Sequence, residues 1–307
     1  PRECYSLVMV SLRRVFYKPP LVGLLAFIVV FITQGLGHTL MVLVEQFFGS
    51  AYQYQAAFIL GLIGAVLLFI GMKNDNEVPA TWLGYFAGFC LWTGWIEFSF
   101  VFYAEYLNIE QTLPDGRLNP YPEYLVMQSS IGVLMVSLLY FFFNRETKCN
   151  FFRWFQRNLK LSTGRPTAGY KRNYAAITAM ETVYVIWFFY IVLLLLYEDA
   201  FVGDQHLLTY IFFFLNTVWA LFLMFRLSKF WNVTRAIRYA IPTAIIAYTS
   251  YEIIGRWGLL VEFWVYPKEY LSELLMIFGA ISIGILIAII TPEGEKQRLN
   301  QEQRKQD

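Results

Sequence analysis

The sequence predicts an all-α integral membrane protein with eight transmembrane helices, built as a parallel internal duplication of four helices plus four. Three observations lead to this prediction. Hydrophobic residues make up 58% of the 307 residues, only 15% are charged and the mean hydropathy is +0.48, whereas about a quarter of the residues in soluble chains are charged. Several apolar segments have roughly the 20 residues that a helix needs to cross a bilayer. Polar motifs of the first half also recur, in the same order, in the second half.

The predicted helices follow one another through mostly short connections. Their apolar runs are continuous and lack the alternation of barrel strands, so they indicate helices. The first run is too long for the apolar core of a cleaved signal peptide, and we expect it to remain as a helix. A basic linker, 144–173, separates a first repeat at 20–143 from a second at 174–291, between an interfacial N-terminus (1–19) and a tail (292–307). The eight predicted helices lie near 20–47, 54–72, 80–105, 124–143, 174–197, 207–226, 236–258 and 269–291.

The distribution of charge predicts the orientation of these helices. Of the 24 Lys and Arg residues, 21 fall in the termini and in alternate connections, and only Arg117, Arg256 and Lys268 fall on the other side. Basic residues stay cytoplasmic, so both termini are expected in the cytoplasm, in a plasma or inner membrane. Of the 22 acids, 13 lie in the outer half or outer loops, which therefore carry a net charge of −10.

The duplication is predicted from three pairs of motifs that keep their order. Their matching residues are the polar ones, which favours a true repeat over chance likeness among apolar segments. Four helices per half would make the repeats parallel, related by a pseudo-twofold axis along the membrane normal. The motif pairs are 43–73 with 196–226, TGWIE (93–97) with TSYE (249–252), with one residue slipped, and YPEYL (121–125) with YPKEYL (266–271).

Polar residues from both predicted repeats converge in the outer half and form a candidate binding site. Intramembrane acids are functional candidates because an ionised side chain there is costly unless it is paired or hydrated. Glu97 and Glu252 are the strongest candidates, and Arg256 stands four residues after Glu252, at the spacing of an intrahelical ion pair. In the alternative interpretation Arg256 only neutralises Glu252. The full candidate set is His38, Glu45, Glu97, Glu198, Glu252 and Arg256, with Glu123 and Glu269 at the outer starts of the fourth and eighth helices.

Metals and other cofactors are not predicted with any specificity. The three cysteines lie in the cytoplasm or within a helix, so we expect neither a disulfide nor a Cys/His zinc site. A metal on His38, Glu45 and one further carboxylate is chemically reasonable, but a packing histidine is favoured. The segment GHTLMVLVEQF (37–47) resembles the copper-site segment of the membrane subunits of particulate methane and ammonia monooxygenases. Tyr52 replaces the further histidine of that pattern, so copper chemistry is not inferred.

Aromatic residues form 19% of the chain. Runs such as VIWFFY and YIFFFLNTVW either face lipid or line a cleft for a flat or polyene ligand. The segments 5–18 and 149–161 mix aromatics with Arg and Lys, which suits contact with anionic lipid at the cytoplasmic surface, although an ordinary positive flank fits equally well.

Three functions follow from these features. The favoured one is a non-catalytic integral subunit or lipid- or apolar-ligand-binding scaffold, in contact with the bilayer and other membrane subunits and without nucleic acid, because nucleotide, redox and nucleophile motifs are absent from the sequence. The second is a transporter or channel for a cation or small amine. The third is a membrane-embedded enzyme acting on an isoprenoid or hydrocarbon substrate, for which YPEY and YPKEY resemble the Pro-x-Glu motifs of the duplicated membrane lycopene cyclases.

Overall fold

A computed structural model of the protein shows an all-α chain, without strands in the described residues. The described residues are 18–49, 52–109, 123–147, 149–161, 164–165, 167–169, 172–199, 201–260, 268–272, 274–279 and 282. Their main helices are α1 (Leu21–Phe48), α2 (Gln53–Met72), α3 (Glu77–Tyr106), α4 (Glu123–Phe143), α5 (Asn150–Asn158), α6 (Tyr174–Tyr197), α7 (Leu207–Leu227) and α8 (Val233–Arg256).

Six of these helices, α1 to α4, α6 and α7, are long and apolar enough to cross a membrane. Their bounds agree with the predicted segments to within three residues. Helix α8 covers most of the predicted seventh segment and has a spanning length of 24 residues, but it is more polar and half of its residues are buried. The predicted eighth segment, 269–291, lies mostly outside the described residues. The all-α membrane class is therefore supported, while the number eight and the duplication stay predictions.

Side-chain caps define where three of the long helices begin. Asn76, Asn173 and Asn232 precede α3, α6 and α8, and each side-chain oxygen accepts a hydrogen bond from a backbone N–H in the first turn, at 3.3, 2.9 and 3.0 Å. His206 caps α7 in the same way through Nδ1. Each such cap typically stabilises a helix by about 1 kcal/mol.

The helices pack as a central group, α1, α3, α6 and α8, flanked by α2, α4 and α7. Small residues allow α3 and α6 to approach closely, since a Cβ on Gly84 or Gly88 would lie 2.4 or 2.6 Å from the carbonyl oxygens of Ala175 and Ala179. Close backbone approach through small residues is typical of packed helices in membranes. The large apolar side chains of α2 and α7, such as Phe58, are largely exposed, as expected of lipid-facing helices.

Contacts between the helix ends define two opposite ends of the bundle. At one end, Asn173 at the start of α6 donates to the carbonyl of Met72 at the end of α2, at 3.1 Å. We call this the basic end, because Lys73, Arg226 and Lys229 lie there, each over a phenylalanine ring of its own helix. At the other end, the Trp257 indole after α8 donates to the Asp204 carbonyl before α7, at 2.9 Å. We call this the acidic end.

Candidate functional site

The structure places three of the sequence-predicted acids within electrostatic range of a common neighbour. Glu97 on α3 and Glu252 on α8 both interact electrostatically with the phenol of Tyr190, which lies on α6. Glu123, at the start of α4, interacts with the same phenol and with Glu97. Three carboxyl groups from three helices therefore lie within electrostatic range of one tyrosine, towards the acidic end. We call Glu97, Glu123, Tyr190 and Glu252 the acidic cluster.

A π turn at Trp92–Glu97 positions the first of these acids. The turn adds one residue to α3, and an added residue rotates everything that follows by roughly 100° relative to a regular helix. Gly94 lies within this turn, where a Cβ would stand only 2.5 Å from the carbonyl oxygen of Ala57 on α2. Single π turns within α-helices occur frequently at functional sites, and this one places Glu97 at its last position.

Aromatic rings form one side of the acidic cluster. The indole of Trp92, which is 2% exposed, lies beside the Glu97 carboxyl. Its ring lies 6.2 Å from that of Tyr190 and 6.4 Å from that of Trp187, while Tyr124 packs edge-to-face on Tyr190 at 6.4 Å. Carboxylates and aromatic rings are both groups to which proteins bind organic cations.

Arg256 is placed at the rim of this end. Its guanidinium lies 3.6 Å from the carboxylate of Asp204, and the two side chains are 41% and 30% exposed. It also lies over the ring of Tyr197, 5.3 Å from the centroid. Arg256 therefore ties the end of α8 to the connection between α6 and α7, which the i to i+4 spacing from Glu252 did not indicate.

The remaining predicted site residues occupy α1 and the end of α6. Glu198 follows the last turn of α6, and its backbone carbonyl accepts hydrogen bonds from Phe201 and Val202. His38 and Glu45 lie within α1, with side chains outside the described part of the structure. Among the residues that are described, no group of three or more His, Cys, Asp or Glu side chains is arranged to hold a metal ion.

Sequence reasoning missed a second polar pair, close to the basic end. Arg238 on α8 donates to both carboxylate oxygens of Glu181 on α6, at 3.3 and 3.4 Å, and the two side chains are only 21% and 22% exposed. The guanidinium also lies 5.8 Å from the ring centroid of Tyr174. Glu181 was evident in the sequence as the one acid deep on the inner side, but its partner lies 57 residues away and was indistinguishable from a flanking basic residue.

Known proteins do not add to this description of the site. No model of a known protein family, no curated protein and no solved structure matches the chain. What the acidic cluster does must therefore be inferred from its own geometry.

Proposed function

We propose that this protein is a non-catalytic membrane scaffold that binds an apolar ligand carrying a cationic group, with the cation held at the acidic cluster. One observation supports this most directly: Glu97, Glu123 and Glu252, on three different helices, all lie within electrostatic range of Tyr190. Like charges in a medium of low dielectric resist joint ionisation, and a cation among them favours their ionised forms.

The surroundings of the cluster favour an organic cation over a bare metal ion. The neighbouring groups are rings, those of Trp92, Trp187 and Tyr124, and a π face attracts an ammonium group by about 0.5–2 kcal/mol. A hard metal ion prefers several oxygen ligands at short distance. An amphiphile with an ammonium head would satisfy carboxylates and rings together, while its chain would lie among the apolar helices.

The proposed orientation sets the acidic cluster in the outer leaflet. The basic end carries most of the Lys and Arg residues of the chain, and such residues remain cytoplasmic. Both termini would then be cytoplasmic, and the ligand would enter from the outer leaflet or the outer medium.

The proposed duplication is supported by the likeness of α3 and α8. Asn76 and Asn232, which cap these helices, stand 156 residues apart, and TGWIE and TSYE begin at the same spacing. The extra residue of TGWIE falls within the π turn, so the slip of one residue has a structural counterpart. At this spacing the buried small residues also correspond: Ala80, Gly84, Gly88 and Thr93 match Ala236, Ala240, Ala244 and Thr249.

The pairing of helices supports the same proposal. Suppose that α1, α2 and α3 correspond to α6, α7 and α8. Replacing each helix by its counterpart in the other repeat then turns the α1–α8 contact into the α6–α3 contact. It also turns α2–α3 into α7–α8 and α2–α6 into α7–α1, and all of these pairs are in contact. In this arrangement Glu97 and Glu252 are equivalent residues that approach Tyr190 from opposite halves.

A binding experiment tests the proposed function. Purified protein in a neutral maltoside detergent is titrated with a fluorescent single-chain trimethylammonium probe and with a sulfonate probe of the same chain. We expect the wild type to prefer the cation, and Glu97→Gln or Glu252→Gln to weaken cation binding by at least tenfold, since hydrogen bonds and ion pairs to charged groups contribute about 1.5–3 kcal/mol.

Glu146→Gln is the matched control, because it removes an acid near the opposite end of α4 and should leave the affinity for the cationic probe unchanged. Failure of the wild type to bind the cationic probe, or cation binding that survives both substitutions in the cluster, would contradict the proposal.

A further inference from the structure

A second surface with ligand-binding character lies at the basic end, where the short helix α5 crosses the end of α4. Gln156 of α5 donates to the backbone carbonyls of Phe142 and Asn144 at 2.9 and 3.3 Å. Phe152 is 1% exposed and stacks on Phe141 at 5.6 Å. These contacts fix one face of α5 against the bundle.

The opposite face of α5 is basic and aromatic. Arg153, Arg157 and Lys160 are exposed, and Trp154 between them is 53% exposed. Basic residues interspersed with tryptophan on one face of a helix are typical of helices that lie in the headgroup layer of a membrane. Each Lys or Arg near an anionic surface strengthens binding by about fivefold.

An apolar groove lies along the exposed side of α4, at the end of that helix which α5 crosses. It is shallow and open to the surroundings, and its lining residues are Val136, Leu139, Tyr140, Phe143, Asn144 and Arg145. Four of them recur at the spacing of one helix face, and Arg145 stands at the end of the groove nearest α5. The groove is thus apolar along its length and positively charged at one end, as a phospholipid would require.

Among the residues that the structure describes, the acid next to Arg145 at the end of the groove is already engaged. Glu146 accepts a hydrogen bond from the backbone N–H of Thr167 at 2.8 Å and lies 3.5 Å from the guanidinium of Arg145. The backbone hydrogen bond from Thr167, with the positive charge of Arg145, holds the pKa of Glu146 below its ordinary value. Its carboxylate therefore stays ionised at neutral pH and offsets one of the positive charges, leaving those of α5.

We propose that α5 and the groove on α4 form a binding site for one anionic phospholipid. Its phosphate would lie among Arg145, Arg153 and Arg157, and an acyl chain would follow the groove towards Val136. The site lies at the end of α4 opposite Glu123 and is independent of the proposed cation site.

Native mass spectrometry of the delipidated protein tests this proposal. The protein is titrated with phosphatidylglycerol and with phosphatidylcholine of the same acyl chains. We expect the wild type to prefer phosphatidylglycerol by at least tenfold, the single variant Arg157→Gln to lose about fivefold of that preference, and the triple variant Arg153→Gln/Arg157→Gln/Lys160→Gln to lose it altogether.

The matched control removes three charges elsewhere at the same end. Lys73→Gln/Arg226→Gln/Lys229→Gln should keep the preference for phosphatidylglycerol. Val136→Trp should weaken both lipids alike by filling the groove, and glycerol 3-phosphate, which lacks acyl chains, should not compete.

Three results would overturn the proposal. The first is equal affinity of the wild type for the two lipids. The second is an unchanged preference in both Arg157→Gln and the triple variant, which would leave the groove to another occupant such as a partner helix. The third is competition by glycerol 3-phosphate, which would mark a simple phosphate site.

Discussion

The ion pair between Glu181 and Arg238 provides a sharp test of how polar groups are held inside this bundle. Arg238→Met removes the guanidinium but keeps an unbranched apolar side chain of similar reach. The carboxyl of Glu181, which is 22% exposed, then loses the partner that donates to both of its oxygens. We expect this variant to be clearly less stable than the wild type.

The structure sets the magnitude of that loss. Removing one partner of a buried ion pair typically costs 3–5 kcal/mol because it leaves an uncompensated charge, and the residual exposure of this pair favours the lower end, about 3 kcal/mol. The pair formed by Arg256 and Asp204 is more open, at 41% and 30% exposure, and exposed pairs contribute about 0–1 kcal/mol. Arg256→Met is therefore the matched control. Because Arg256 pairs with the partly exposed Asp204, we expect a smaller loss of stability than a buried pairing with Glu252 would have given.

Thermal unfolding of the variants in a neutral detergent measures the difference. At about 2–4 °C per kcal/mol for larger domains, Arg238→Met should lower the melting temperature by about 6–12 °C and Arg256→Met by at most about 4 °C. The double variant Glu181→Gln/Arg238→Met should recover most of the loss, because no charge is left unpaired. A melting temperature of Arg238→Met equal to that of the wild type, or a double variant no better than the single one, would refute this reasoning.

Three further predictions concern packing, pH and topology. Gly88→Ala should destabilise the protein by about 1–3 kcal/mol in the same melting assay, because its Cβ would meet a backbone carbonyl of α6, whereas Gly132→Ala, with open space around it, should not destabilise. Because the pKa of Glu146 is lowered, the hydrogen bond that its carboxylate accepts from Thr167 is complete above the ordinary glutamate pKa. This hydrogen bond is lost as pH falls through the lowered pKa. A spin label on the linker should therefore gain mobility only at pH values well below the ordinary glutamate pKa in the wild type, but show no such transition in Glu146→Gln. In a cysteine-free background, a membrane-impermeant maleimide applied to intact cells should label Asp115→Cys and spare Lys160→Cys; the reverse pattern would overturn the orientation.

The helices themselves were predictable because a membrane imposes length and composition on each of them. The bounds of α6 were predicted to the residue, and those of α3 differ most, by three residues at its start. That difference has a local cause: the Asn76 cap begins α3 ahead of its continuous apolar run, and polar Glu77 forms the first turn. Propensity and hydropathy cannot locate such a start unless the cap is recognised.

The candidate site was predictable in part. Glu97 and Glu252 stood out as acids within apolar helices, whereas the π turn that precedes Glu97 could not be predicted from hydropathy. Tyr190 could not be singled out, because one tyrosine in the aromatic run VIWFFY resembles its neighbours until the packing of α6 is known. Arg256 was assigned a partner by spacing, whereas the chain supplies Asp204 from a loop.

Photoaffinity labelling tests the central claim most directly, since it reports where a cationic amphiphile binds. Purified protein is irradiated with a long-chain trimethylammonium probe that carries a diazirine beside the head, and the labelled peptides are identified by mass spectrometry. The acidic cluster predicts labelling of α3 around Glu97 and of α6 around Tyr190, suppressed by an excess of the unreactive cation and strongly reduced in Glu97→Gln. Labelling confined to the lipid-facing helices α2 and α7, unaffected by that substitution, would contradict it.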